Sequence, residues 1–338
     1  MECVTTVRYR VRFNGVLLNT KTPSNPRVVC AKGIHCHHTY SCFVADGLSK
    51  LLQQGNRAGA IQGLKVCRNA PVVSHLLFAD DSLLFFRADE EQSRAMKEVL
   101  SRYCKATGQL INFDKCSVLF NKNQGDANMN AVKNELSICS DTFEAKYLGL
   151  PTPEGRLKAD RFSPIQERLA KRCSAWNERC LSSAGKEVLI KSVAQAIPVY
   201  IMSVFMLPGT VQADLMRYIR RFWWGELGGM RKTHWIAWDK FTKPKGLGGL
   251  GSRDLKVFNQ ALLAWQAWRL IDRPTSLCAR VLKAKYFPNG QLLDTTFPTN
   301  QSPTWKAIAH GLELVKKGVI WRIGSGEQIR IWRDPWIP

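Results

Sequence analysis

Residues 72–86 read VVSHLLFADDSLLFF. Two apolar runs flank Ala79-Asp80-Asp81, a pattern that predicts a tight hairpin with the aspartates at its tip. The strands favour burial, yet adjacent carboxylates repel each other. A divalent cation resolves that conflict. Mg2+ takes carboxylate oxygens and keeps positions open for phosphates. Two such ions, held by a few carboxylates, can activate a 3′-hydroxyl and steady the leaving oxygens in phosphoryl transfer. The plainer alternative is an ordinary turn, where Asp is common.

Downstream, Asp89 is placed to cap a helix and Gln92 to close a capping box. Met96, Val99, Leu100 and Tyr103 fall on one face, and Gly108 ends the helix. The stretches LINFDKCSVLF (110–120) and AKYLGLP (145–151) predict short strands. Upstream, residues 3–19 alternate like strands around an Asn14-Gly15 turn, and Val44 to Gln54 predicts a helix. From about Ala159 the period becomes helical. One helix holds Ile165, Leu169 and Trp176, and a second runs from Ala184 to Ile197 and stops before Pro198. A third, Val211 to Trp224, carries Leu215, Ile219, Phe222 and Trp223. The remainder is rich in Trp and Gly, with no internal repeat and no low-complexity tract.

The chain has 338 residues, 45% of them hydrophobic, enough for one large or two to three smaller packed units. Lys and Arg number 49 against 27 acids, a net charge of +22. That excess suits a polyanionic partner, most often nucleic acid, because each neutralised phosphate releases a counterion. Charge alone is also compatible with a solvated basic surface. No apolar run reaches the roughly 18 residues of a membrane-spanning helix, and MECVTTVRYRVRFNGV does not resemble a signal peptide. Eleven cysteines, odd in number, do not form a secreted disulfide framework and point to a reducing, intracellular compartment, nuclear or cytoplasmic. Cys3, Cys67, Cys104, Cys116, Cys139, Cys173, Cys180 and Cys278 show no CxxC spacing and are expected to be buried thiols.

His75-Leu76-Leu77-Phe78-Ala79-Asp80-Asp81-Ser82-Leu83-Leu84-Phe85 resembles the catalytic box of reverse transcriptases from plant non-LTR (LINE-type) retrotransposons. The resemblance extends over nearly the whole chain. Thr107-Gly108-Gln109-Leu110-Ile111-Asn112 with Lys115 resembles the segment after that box, and Tyr147-Leu148-Gly149-Leu150-Pro151 the palm-to-thumb passage. Leu181-Ser182, Gly185-Lys186 and Ile197-Pro198-Val199-Tyr200 resemble the thumb. Phe222-Trp223-Trp224-Gly225, Gly248-Gly249-Leu250-Gly251 and Ile331-Trp332-Arg333-Asp334-Pro335-Trp336 resemble the C-terminal region.

The fold implied is α+β. A partial right-hand palm over 1–150 would carry the FADD hairpin, a helical thumb would span 151–226, and a Trp/Gly-rich region 227–338. The resemblance implies Asp80 as the principal Mg2+ ligand with Asp81 beside it. Phe78, Ala79, Gly108, Gln109 and Lys115 would lie in the vicinity of the active site or nucleic acid. The implied partners are an RNA template, a DNA primer and dNTPs, with no membrane. The implied reaction is RNA-templated extension of a DNA 3′ end.

The stretch CAKGIHCHHTYSC, Cys30 to Cys42, looks like a metal site. Zinc sites space their ligands as C-x2–4-C with H-x3–5-H, whereas Cys30, Cys36 and Cys42 are further apart and His37 and His38 adjoin. The resemblance instead implies RGLRQGDPLSPYLF here. Taking the third base of each codon with the first two of the next, from Arg27 to Tyr40, permits that string. Residues 28–43 are therefore expected to come from a shifted reading frame bounded by compensating indels, with no selected zinc site.

The family's first catalytic aspartate lies upstream of a segment like Cys3-Val4-Thr5-Thr6, so this copy is expected to be truncated and inactive. The alternative function is a non-catalytic, basic nucleic-acid-binding remnant. His75 and His234 are expected to be packing residues, and Trp223-Trp224 core rather than a base-stacking platform. Arg217, Arg220, Arg221, Arg231 and Lys232 are expected to form a solvated face.

Overall fold

The computed structural model describes residues 12–13, 16–17, 34–121, 124–141, 146–152, 158–179, 181–227, 230–231, 233–294, 301–320, 322, 324–327 and 331. Side chains are described from residue 44 onward, except at 226–227 and 230–231. The Cys30–Cys42 side chains, Cys3, Cys180, Lys232, the Arg231 side chain and 332–336 lie outside that description. Two compact units divide the chain: 1–65 with 72–143, and 66–71 with 144–338.

In the first unit, β1 (Arg12–Phe13) and β2 (Val16–Leu17) pair antiparallel, Phe13 opposite Val16, the register that an Asn-Gly link favours. Helix α1 (Ile34–Arg57) begins well before the expected Val44. Strands β3 (His75–Phe78) and β4 (Asp81–Leu84) form the expected hairpin, His75 opposite Leu84 and Phe78 opposite Asp81. Helix α2 (Glu90–Thr107) is capped as its sequence demands. The Gln92 amide donates to Asp89 Oδ1 at 2.8 Å, and Gly108, at φ 73°, donates its N–H to Cys104. Gln92 departs from the capping box: its buried Oε1 accepts from Gln62 N and Arg87 N, tying the helix start to two loops. Helix α3 (Asp126–Leu136) follows.

The core of this unit is Leu48, Leu52, Ile61 and Met96, with Leu77, Leu84, Phe86, Val99, Leu100 and Tyr103 packed around it. Each fully buried aliphatic side chain there contributes about 1.5–3 kcal/mol. Residues 110–120 are not the expected strand. Asn112 Oδ1 accepts from Asp114 N, opening a 3-10 turn over Phe113–Lys115, and Leu110 and Phe113 point to solvent. Local side-chain-to-backbone bonds of Asn compete with a ladder, and here they win.

In the second unit, β5 (Lys146–Tyr147) and β6 (Leu150–Pro151) close around Leu148 and Gly149, both left-handed at φ 50° and 75°. A two-residue turn with both φ values positive matches the twist of the strands it joins, and Gly149 adopts it without strain. The three helices expected from the 3.6-residue period are α4 (Ser163–Asn177), α5 (Ser183–Leu189) and, after the short α6 (Val199–Met202), α7 (Gly209–Trp224). Ser182 Oγ caps α5, which runs into a π turn over Ile190–Ala194. Leu169, Cys173, Ile190, Met202, Leu215, Ile219 and Phe222 bury their faces in one core. Strands β7 (Glu226–Leu227) and β8 (Met230–Arg231), then α8 (Trp238–Thr242), α9 (Leu255–Asp272), α10 (Leu277–Tyr286) and α11 (Pro303–Gly318) complete the unit. Asn259 on α9 is buried, donates to Met202 O and Phe205 O, and accepts from Leu207 N. Trp305 of α11 stacks on Tyr286 at 4.2 Å.

The cysteines divide. Cys173 is buried and its thiol is pushed up to about 12, an inert core group. Cys67, Cys104 and Cys116 are half-buried, whereas Cys139 and Cys278 are exposed, contrary to expectation.

Candidate functional site

The β3–β4 hairpin carries Asp80 and Asp81. Period-two alternation sends His75, Leu77 and Leu84 to one face and Leu76, Phe78 and Asp81 to the other. The first face packs on the core, and Leu77 and Leu84 belong to it. His75 anchors that side: its Nε2 is 2.9 Å from Ser49 Oγ on α1 and its Nδ1 2.9 Å from Ser74 Oγ. Burial holds the imidazole below its ordinary pKa. His75 is thus a packing and hydrogen-bonding residue, as expected.

On the second face Leu83 is half-buried and its neighbours are more open. Phe78 is 61% exposed and Leu76 40%. Asp80 sits in the two-residue link and Asp81 opens β4 directly opposite Phe78, both exposed. Ala79, the first link residue, is held at φ 51°, a conformation that costs a non-glycine residue about 1–2 kcal/mol. Neither carboxylate has a hydrogen bond or ion pair among the described residues, although basic side chains are abundant in the chain.

Of the other expected site residues, Gly108 is the left-handed cap of α2 and Gln109 Oε1 accepts from Tyr103 Oη at 2.6 Å. Lys115 is exposed in the 3-10 turn. Among the described residues no bond joins Lys115 or Gln109 to the aspartates. No group of three or more His, Cys, Asp or Glu side chains forms a metal-binding cluster there either. An Asp pair fits one hydrated Mg2+ that takes further ligands from water and phosphate. A two-ion centre needs more carboxylate than these residues bring together.

In the second unit, Gly248-Gly249-Leu250-Gly251 is no phosphate cradle. Their N–H groups donate inward, to Lys245 O, Pro244 O, Phe241 O and Lys243 O. Trp223 and Trp224 meet Phe241 edge-on and Trp224 stacks on His234, so both aromatics serve packing, as expected. Arg217 pairs with Asp214.

No family model matches the chain. It is 42% identical over 143 residues to the "Uncharacterized mitochondrial protein AtMg00310" of Arabidopsis thaliana, covering 42% of this chain and 93% of that protein. The chain belongs to the family of that mitochondrial protein. This family member is also 38% identical over 192 residues, 56% of its length, to the "Putative ribonuclease H protein At1g65750" of the same plant. It spans 31% of that larger protein. Among the described residues no helix is long and apolar enough to cross a membrane.

Proposed function

We propose that the chain derives from the RNA-directed DNA polymerase of a plant non-LTR retrotransposon and binds template–primer without extending it. The hairpin that presents Asp80 and Asp81 on an open face carries this reading. Its first unit is read as part of a polymerase palm and the helices of 163–224 as a thumb. The similarity to a protein named for ribonuclease H fits a retroelement context.

Asp80 and Asp81 are the residues that would hold Mg2+. A bound Mg2+ would supply charge neutralisation for a phosphoryl group. The protein's part is to fix the two carboxylates. The packed face of β3–β4 anchors them through Leu77, Leu84 and the His75–Ser49 bond, and the strained Ala79 link sets where Asp80 points. Among the described residues no third acid joins them in a metal-binding group. Losing a bridging carboxylate removes the alignment on which in-line transfer depends.

The test is a primer-extension assay with the full chain, an RNA template, a DNA primer, dNTPs and Mg2+, run beside a binding assay. Binding that weakens steeply with salt, with no added nucleotide, is expected. Extension abolished by Asp80→Asn would show the centre to be complete and overturn the non-extending half. Failure to bind template–primer overturns the proposal altogether.

A further inference from the structure

Most of the described tryptophans are spent on packing. Trp176, Trp223, Trp224, Trp238 and Trp305 each lie against another aromatic ring. Trp265 and Trp268 of α9 do not: they meet no aromatic ring among the described residues, and they are 61% and 37% exposed. Both stand on one regular helix, one turn apart. At about 100° per residue, Val257, Ala261, Trp265 and Trp268 fall within an arc of about 80°. All four are exposed, so one apolar stripe of α9 is open. A helix that is apolar on every side is ordinarily buried on every side, and an open apolar face marks an interaction site.

The support beneath the two rings is rigid. Leu255, with Phe258 and Leu262 beside it, packs into one core, and Ala267 and Leu270 into another. Gly311 of α11 brings its backbone against Leu263 and Ala264. The charge beside the rings is basic. Arg269 lies about 40° round the helix from Trp265. Its guanidinium donates to Gln266 Oε1 at 3.1 Å and forms no ion pair among the described residues, which leaves further donors for an anion. The acid at this end, Asp272, is held 3.6 Å from Arg273. At the far end Asp254 is occupied in capping the helix.

We infer that Trp265 and Trp268, with Arg269 beside them, form a stacking platform for the bases of a single-stranded nucleic acid. Such sites combine aromatic faces, on which any base can stack, with cations that follow the backbone. Side chains at i,i+3 stand about 5–6 Å apart at their Cβ atoms, so the two rings offer neighbouring faces. Charge decides between this partner and a second copy of the chain. A net charge of +22 repels a like molecule and attracts a polyanion. The platform rests on the nucleic-acid half of the proposed function and not on the metal site.

The experiment is fluorescence anisotropy of the full chain with labelled oligo(dT), in EDTA, across a salt series. Trp265→Leu/Trp268→Leu keeps the face apolar but removes both rings, and Trp265→Phe/Trp268→Phe keeps rings. Trp235→Leu is the control, since Trp235 is exposed but stands apart from α9. Circular dichroism confirms that the variants fold. The leucine pair is expected to weaken binding at least about 25-fold at every salt concentration, about fivefold or more for each lost stack. The slope of log K against log salt should not change, because no charge is removed. The phenylalanine pair should keep most of the affinity, and Trp235→Leu all of it. Three results overturn the platform: no binding of oligo(dT) by the parent, parent-like binding by the leucine pair, or an equal loss in Trp235→Leu. So does a dimer of the free parent in sedimentation velocity that Trp265→Glu splits, because a second copy would then cover the face. An RNA–DNA duplex keeps its bases stacked inside and should bind the leucine pair as it binds the parent. Failure of the template–primer reading therefore shows in the parent with duplex, and failure of the platform in the leucine pair with single strand.

Discussion

Tyr200 Oη donates a hydrogen bond to the carbonyl of Leu148 at 3.0 Å, fastening the 146–151 hairpin to α6. Leu148 is the strained residue of that turn, left-handed at φ 50°. Removing the hydroxyl should loosen the turn more than the helix. Tyr200→Phe is expected to cost about 0.5–1 kcal/mol, since Tyr200 is half open to solvent and a single net hydrogen bond is worth that much. Hydrogen exchange at residues 146–151 should accelerate while the α7 core stays protected. Unchanged exchange would show that the bond does not hold the turn.

Asn259, 1% exposed, satisfies two carbonyls and one amide in the core. Asn259→Leu leaves Met202 O, Phe205 O and Leu207 N unpaired, each costing about 1–3 kcal/mol. A fall in the denaturant midpoint equivalent to at least about 2 kcal/mol is expected. A variant as stable as the parent would mean that the segment 202–207 repacks.

Gly311 of α11 lies against α9, where a Cβ would stand 2.2 Å from Leu263 C and 2.4 Å from Ala264 N. Backbone cannot yield as a side chain tip does. Gly311→Ala should force the helices apart and cost about 1–3 kcal/mol or more. Near-ultraviolet dichroism from Trp305, buried on the same helix beside Ala267 and Leu270 of α9, would report the separation.

The His75 imidazole titrates below 6.5 because burial disfavours its charged form. In that window the unfolded chain binds the extra proton, so folding stability rises with pH. The contribution is complete above the unfolded value near 6.5 and is lost as pH falls through the lowered folded value. An NMR titration of the His75 ring should give a midpoint under 6.5, and a midpoint at or above it contradicts the buried anchor. Acidification should weaken the β3–β4 contact with α1 before it affects the second unit.

Where a signal was local, the sequence carried it. The FADD hairpin, the Asp89 cap and Gly108 stop of α2, and the helices over 163–224 follow from alternation, capping chemistry and the 3.6-residue period. Asn112 defeated the strand expected at 110–120, because a short polar side chain can bond its own backbone more readily than a ladder can form. Gln92 also escaped, since its bonds to Gln62 and Arg87 depend on loops that no spacing rule brings together. Of the basic residues Arg217, Arg220 and Arg221, Arg217 is paired with Asp214 one turn before it. The Tyr200–Leu148 bond spans residues too far apart in the chain for any local pattern to announce it.

The most direct measurement is a Mn2+ titration, Mn2+ standing in for Mg2+, followed by water-proton relaxation on the parent chain and on Asp80→Asn/Asp81→Asn. Loss of the tightest-bound Mn2+ in the variant, with the helical signal unchanged, is the expected result. An identical binding curve for the two proteins would mean that the aspartates only make a turn, and it would contradict the metal-holding hairpin on which the proposed function rests.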